Sequence, residues 1–315
     1  MNNTKQKFIY TYVHHINEFD LCRMEMRAFF EKDTLLNHII SEIEIDPSRS
    51  PFIQDRLEVY YEGNDLAEIK KQVQAFKPSA KTYKVFCLNK MDLGETKKIP
   101  HQERQVIERE LGLLIEGEPD LENPEIVLGI LQLNDRWYFG KHEKSESIWR
   151  HHMHKPRSYS TALNTRMARA IANIAVPHPK GIRVIDPLCG IGTVLVEALS
   201  MGINIVGRDI NPIVCDGSRE NIAYFGLEGN VSKGPISEIT EYYDVAIIDL
   251  PYNLATHISQ EDQFDIIKHA RRIADRVVIV TIENIDDKIQ EEGFKIIDRC
   301  IARKHLFERQ ILLCV

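Results

Sequence analysis

The spacing of apolar positions changes character about halfway along the chain. Up to residue 140, short strand-like and helix-like segments interleave. Phe8 to Val13 reads as a strand, Glu18 to Lys32 as a helix through Phe19, Cys22, Met26 and Phe29-Phe30, and Leu57 to Tyr61 as a strand. Asp65 to Phe76 suits a short helix, Thr82 to Leu88 a strand and Glu103 to Leu113 a helix. Ile126 to Leu133 and Trp137 to Gly140, separated by Asn134-Asp135-Arg136, predict a hairpin. This is the pattern of a compact α+β assembly.

From Ser160 the order becomes regular. An amphipathic helix to Ala175 precedes strands at Arg183 to Asp186, Ile203 to Asp209, Asp244 to Asp249 and Arg276 to Thr281. Helices running to Met201, to Tyr224 and from Gln263 to Ala274 separate them. Such alternation predicts an α/β, Rossmann-like, doubly wound parallel sheet. Phe294 to Arg303 and Phe307 to Val315 add a closing antiparallel hairpin, bent at Lys304-His305-Leu306. The expected division is an α+β region over 1–145, a linker over 146–158 and the α/β domain over 159–315.

The composition narrows the class without naming it. A chain of 315 residues with 43% hydrophobic and 28% charged residues fits an ordinary globular protein of two domains. No apolar run approaches the roughly 18 residues of a membrane span, and the first residues lack a signal-peptide core, so a cytoplasmic location without a membrane partner is expected. Cys22, Cys87, Cys189, Cys215, Cys300 and Cys314 form no C-x-x-C pair, which argues against both a zinc ribbon and a disulfide framework and for reduced, structural thiols; no metal is expected.

The net charge of −7 gives no overall nucleic-acid signature. Lysines nevertheless crowd positions 70 to 98, and a second basic run from Lys141 to Arg157 includes His142, His151, His152 and His154. Each run alone reads as a solvated face; two of them in an acidic chain point to a phosphate-facing surface. The histidine spacing fits no common zinc pattern.

The chemistry concentrates in two stretches. Val184-Ile185-Asp186-Pro187-Leu188-Cys189-Gly190-Ile191-Gly192-Thr193 reads as a buried strand, a tight glycine turn and a helix start, the layout of a nucleotide cradle. It departs from the dinucleotide fingerprint because Val194-Leu195 stand where a third glycine is needed. Asp209, in Gly207-Arg208-Asp209-Ile210-Asn211, follows Asp186 by 23 positions, near the offset at which a carboxylate meets a ribose diol. Arg208 beside it is read as solvent-facing.

The second stretch, Asp249-Leu250-Pro251-Tyr252-Asn253, ends a strand that should face the same crevice. The exocyclic amine of a nucleobase is a poor nucleophile because its lone pair is delocalised into the ring. A carboxylate at Asp249 and a fixed carbonyl at Leu250 can accept its two N–H bonds and direct the lone pair at a methyl group, while Tyr252 stacks on the base and Pro251 holds the turn.

Taken together, Asp186-Pro187-x-Cys189-Gly190-x-Gly192-Thr193-x-x-x-Glu197-Ala198 with Asp249-Leu250-Pro251-Tyr252 resembles the THUMP-associated class I RNA methyltransferases. The hairpin ending at Tyr138-Phe139-Gly140 is similar to the end of a THUMP domain, an RNA-binding module. The resemblance implies S-adenosylmethionine as cofactor, held by Asp186, Pro187, Cys189, Gly190, Gly192, Thr193, Asp209 and Ile210, with Ser232 at the position that contacts the adenine. It implies guanine N2 in tRNA as the target, with Asp249, Leu250, Pro251 and Tyr252 catalytic. Leu250 stands where relatives commonly carry a proline. Methylation of adenine N6 and a non-catalytic RNA-binding role remain the alternatives.

Overall fold

The protein is described here by a computed structural model covering residues 5–88, 98–159, 162–251, 259–304 and 307–315. Its contacts divide the chain into two units, the first formed by Met1–Val13, Thr34–Ser48 and Phe52–Glu146, the second by His14–Asp33, Arg49–Pro51 and Ser147–Val315. The chain thus enters the second unit three times.

The first unit is one sheet with helices on a face. β1 (Lys7–Tyr12) is followed by α1 (Phe19–Phe30), which belongs to the second unit, and then by β2 (His38–Ser41) and β3 (Ile53–Gly63). α2 (Leu66–Val73), β4 (Thr82–Cys87), α3 (His101–Gly112), β5 (Glu118–Pro119), β6 (Ile126–Leu133) and β7 (Arg136–Lys144) complete it. The strand order is β2-β1-β3-β7-β6-β4-β5. The expected hairpin is β6 and β7, and Asn134 and Asp135 turn it with φ of 49° and 58°, the left-handed pair that a two-residue hairpin loop requires. β2 has only four residues, too few to show an alternation in the sequence.

Ile69, Val73, Ile107 and Leu111 of the two helices pack on Tyr83, Val85, Leu128 and Phe139 of the sheet. Much of the basic character of this unit is neutralised internally. Lys70 pairs with Glu110, Lys77 with Glu116 and Lys141 with Glu143, while His142 is buried with its Nε2 2.9 Å from Asp55.

The second unit begins its C-terminal stretch with α4 (Trp149–His152) and α5 (Thr165–Ala175), then alternates β8 (Arg183–Asp186), α6 (Thr193–Ser200), β9 (Asn204–Asp209), α7 (Pro212–Tyr224), β10 (Asn230–Lys233) and β11 (Tyr243–Asp249). α8 (Gln260–Ile273), β12 (Ala274–Thr281), α9 (Asp286–Glu291), β13 (Ile296–Lys304) and β14 (Phe307–Cys314) close it. The sheet order is β10-β9-β8-β11-β12-β14-β13, parallel throughout except for the terminal hairpin, as the sequence rhythm predicts. The bend at residues 305–306 lies outside the described residues. Ile248, Ile279 and Leu312 face Ile266, Ile267, Ala270 and Ile289 of α8 and α9; α1 and α5 to α7 form the layer on the other side. Among the described residues no helix is long and apolar enough to cross a membrane.

Behind α6 lies a buried polar network. Glu197, fully buried, accepts from Arg169 Nη1 at 2.7 Å and faces His152 Nδ1 at 2.7 Å. His152 is therefore an interior group, whereas His151 and His154 of the same run are exposed. Arg169 Nε donates to the Arg49 carbonyl, and Asn173 donates to the same carbonyl and to Glu25 Oε1 at 2.7 Å. Ser50 donates to the other Glu25 oxygen, and Arg49 reaches Pro177 and Val176 carbonyls and the Asn173 side chain. The segments 14–33 and 49–51 are thus tied to α5, the helix that precedes β8, and through Arg169 and Glu197 to α6.

Burial pushes the Glu25 carboxyl up to about 7, against the opposing pull of Ser50, Asn173, Arg169 and Arg49. A raised folded-state pKa means that the folded chain holds this proton more tightly than the unfolded one, so its contribution is complete below about pH 4 and lost as pH rises through about 7. Urea denaturation between pH 4 and 8 should show the wild type losing about 3 kcal/mol relative to Glu25→Gln, from the 1.36 kcal/mol per pKa unit. Parallel pH profiles for the two proteins would contradict this.

Candidate functional site

The cradle is built on the carboxyl end of β8. Asp186 is 4% exposed, and its Oδ1 accepts from the Leu188 backbone N–H at 3.2 Å. Pro187 is buried behind it. The Cys189 N–H donates to the Arg208 carbonyl, and the Gly192 N–H closes the turn on the Cys189 carbonyl. α6 then starts at Thr193 from a left-handed Gly192 that offers no side-chain cap, leaving the first N–H groups of the helix without intrahelical partners.

The two glycines serve different ends. Both have positive φ, +51° at Gly190 and +74° at Gly192. A Cβ on Gly190 would meet nothing within 4 Å, so the loop borders open space there. A Cβ on Gly192 would lie 2.2 Å from Ser218 Oγ on α7. The close approach expected of these glycines is therefore to the protein itself at Gly192, while Gly190 borders open space.

Asp209 ends β9 and fixes the loop, its Oδ2 accepting from the Gly190 N–H at 3.0 Å and its Oδ1 from the Asn211 N–H at 2.9 Å. Each oxygen keeps a lone pair for another donor. Ile210 beside it is 63% exposed, an apolar surface at the mouth of the cradle. Thr193 Oγ1, by contrast, is buried with no hydrogen-bond partner among the described residues.

Ser232 sits on β10 in register with Arg208, exposed, its Oγ 3.4 Å from Arg208 Nη1. Arg208 is not the solvent-facing cation expected from the sequence. Its side chain is 17% exposed and clamps the loop after β10 through the Pro235 carbonyl and Glu238.

The second stretch lies one strand away, since β11 pairs with β8. Ile248 and Leu250 belong to the α8 side of the core, so alternation turns Asp249 toward the α5 side. Asp249 Oδ1 is buried with no partner among the described residues. The turn beyond it is held from both flanks: the Leu250 N–H donates to the Val280 carbonyl at 2.9 Å, and Gln263 Nε2 donates to the Pro251 carbonyl at 2.7 Å. Tyr252 lies outside the described residues.

Burial raises both carboxyls. Asp186 is held well above the ordinary carboxylate range by desolvation, against the Leu188 N–H and with the Asp249 and Asp209 charges adding to it. Asp249 is pushed up to about 7 by burial, and the Arg309 guanidinium on β14 pulls the other way. Sequence reasoning missed Ser218, Gln263 and Arg309. None belongs to a short motif, and each meets the site only through the folded chain.

Residues 152–266 match the family UPF0020, described as an RMKL-like methyltransferase domain. The chain is 28% identical over 170 residues to the tRNA (guanine(10)-N2)-dimethyltransferase of Methanothermobacter thermautotrophicus, covering 50% of each chain. It is 30% identical over 141 residues to the human U6 snRNA (guanine-N(2))-methyltransferase THUMPD2, covering 42% of this chain and 27% of that protein. The match spans about half the length of the first of these relatives. TrmN from Thermus thermophilus aligns over 98% of this chain and 99% of its own, with 15% identity and a TM-score of 0.48.

The contrast between the glycines is testable by stability. Gly190→Ala should cost about 1–2 kcal/mol for its left-handed backbone alone. Gly192→Ala should cost about 1–3 kcal/mol more, because overpacking against Ser218 is added. Equal losses in a denaturant titration would refute the packing role.

Proposed function

We propose that the chain, which carries this methyltransferase domain, is an S-adenosylmethionine-dependent RNA methyltransferase acting on guanine N2 in tRNA. The observation that carries the reading is the buried Asp249 Oδ1, without a partner among the described residues, at a strand end next to Asp186 and the glycine cradle. A buried acceptor without a donor costs on the order of 1–3 kcal/mol, and an amine N–H from a substrate would satisfy it.

The residues of the cradle suit an adenosyl group better than a pyrophosphate. Asp209 has lone pairs for both ribose hydroxyls, Ile210 offers an apolar face to the adenine, and Ser232 stands at the edge of that position. Gly190 leaves room for the ligand, while Pro187, Cys189, Gly192 and Thr193 shape the turn and the start of α6. Asp186 lies beneath the loop, poised to accept from an amino group. S-adenosylmethionine supplies the electrophilic methyl group.

At the other end, Asp249 and the Leu250 carbonyl accept from the target amine, and the Val280 and Gln263 contacts keep that turn from yielding. Tyr252 stacks on the base. Within a duplex or a folded RNA the target amine is shielded, so the nucleotide is extruded into the crevice, and the N-terminal region, with its THUMP-like hairpin, grips RNA by shape and phosphates.

Asp249→Asn should lower the methyl-transfer rate at least about 100-fold while S-adenosylmethionine affinity by calorimetry changes little. Mass spectrometry of nucleosides from methylated tRNA should show N2-methylguanosine. N6-methyladenosine would favour the adenine reading, and RNA binding without any cofactor binding would favour a non-catalytic role.

A further inference from the structure

We infer that Arg309, on the terminal hairpin, is a positioning residue that favours the ionised form of Asp249 for its contact with the target amine. This rests on the methyl-transfer reading of the site.

Asp249 pairs with Val280 across β11 and β12, and Val280 pairs with Ile311 across β12 and β14. Arg309 stands two residues from Ile311, so it shares the face to which Asp249 points, one dipeptide further toward the carboxyl ends of the parallel strands. It lies about 10 Å across the strands and about 7 Å along them, an offset most of which an extended arginine covers. Arg309 is only 7% exposed, so its charge acts from inside the fold rather than from solvent.

Among the described residues, the other charged groups near Asp249 are of like sign, paired or exposed. Asp186 on β8, whose carboxyl is raised by the Asp249 and Asp209 charges, carries the same sign as Asp249 and cannot oppose its burial. On α5, Arg166 is paired with Glu18 and Arg169 with Glu197. β12 offers only Val280 and Thr281 at this height, with Glu283 in the loop beyond. On α8, Gln263 is neutral, and Glu261 and Asp262 are exposed. Among the described residues, Arg309 is the cation whose charge opposes the cost of burying Asp249.

An ionised Asp249 accepts from an amine N–H with both oxygens, whereas the protonated acid loses acceptor capacity and presents a competing donor. Removing the cation should therefore act through the protonation of Asp249 and not through cofactor binding. No step in this account changes the bonds made or broken in the transfer.

The test uses the full chain with two neutral replacements, Arg309→Gln and Arg309→Met, and the charged Arg309→Lys. Carbon-13 NMR of labelled aspartate, with Asp249 assigned through Asp249→Asn, should show its titration midpoint rising by about one unit in the neutral variants and staying near wild type in Arg309→Lys. The acid limb of kcat/KM should move with it, giving about tenfold slower transfer on that limb, recovered at alkaline pH, with unchanged S-adenosylmethionine Kd. An unmoved midpoint in a folded neutral variant, or a loss of rate that alkaline pH does not restore, overturns the inference. A wild type that transfers no methyl group overturns the functional reading instead, and the NMR midpoints then still decide the coupling.

Discussion

The second unit depends on one buried ion pair, Arg169 with Glu197. Both side chains are at most 1% exposed, and neither charge could be left alone at that depth. The pair is sustained by what surrounds it: His152 and Ser200 beside it, and the Arg49 carbonyl taking Arg169 Nε. That carbonyl comes from residues 49–51 and the Glu25 beyond Asn173 from residues 14–33, so pieces of chain far apart in sequence must be present for the charges to be satisfied. Glu197 lies on α6, the helix that starts at the cradle. The network therefore fixes the back of the helix that begins at the glycine turn. Replacing one partner leaves the other buried and uncompensated, a loss of about 3–5 kcal/mol in comparable cases.

The same low-dielectric interior shapes the chemistry at the front. Three carboxylates, Asp186, Asp209 and Asp249, end three strands that are neighbours or next neighbours in the sheet. Their environments differ. Asp209 is met by two backbone N–H groups, while Asp249 has an oxygen without a partner among the described residues and a distant cation as its counterweight. A carboxylate already supplied with donors is suited to holding a loop and a diol, and one kept short of donors is suited to receiving them from a substrate. The sheet achieves this sorting by strand position alone, without any change of residue type.

Most of the architecture was legible because each element announced itself by period and punctuation. The strand-helix alternation after Arg183, the Asn134-Asp135 turn and the Asp65 cap of α2 are local signals, and the structure places strands and helices within a few residues of them. The cradle was legible for the same reason, its glycines lying in one short stretch. What was not legible is contact at long separation. Nothing near Gly192 foretells Ser218 against its missing Cβ, and nothing near His152 foretells Glu197. Arg208 was misread because a cation beside an acid on a strand end carries no local sign of the loop after β10 that closes over it.

Leu250 shows how a departure from a familiar pattern can follow from packing. Its side chain is 2% exposed in the core beneath α8, and its N–H donates to the Val280 carbonyl on the neighbouring strand. A proline there would remove that donor and leave the Val280 carbonyl to find another. With leucine, the sheet ladder is extended one residue past the strand end, and the Pro251 carbonyl that follows is caught by Gln263. The rigidity that two successive prolines would give through fixed φ is here supplied by two hydrogen bonds from opposite flanks. The geometry of the turn then depends on β12 and α8 staying in place, so the orientation of Asp249 is coupled to the packing of the sheet and not to the local sequence alone.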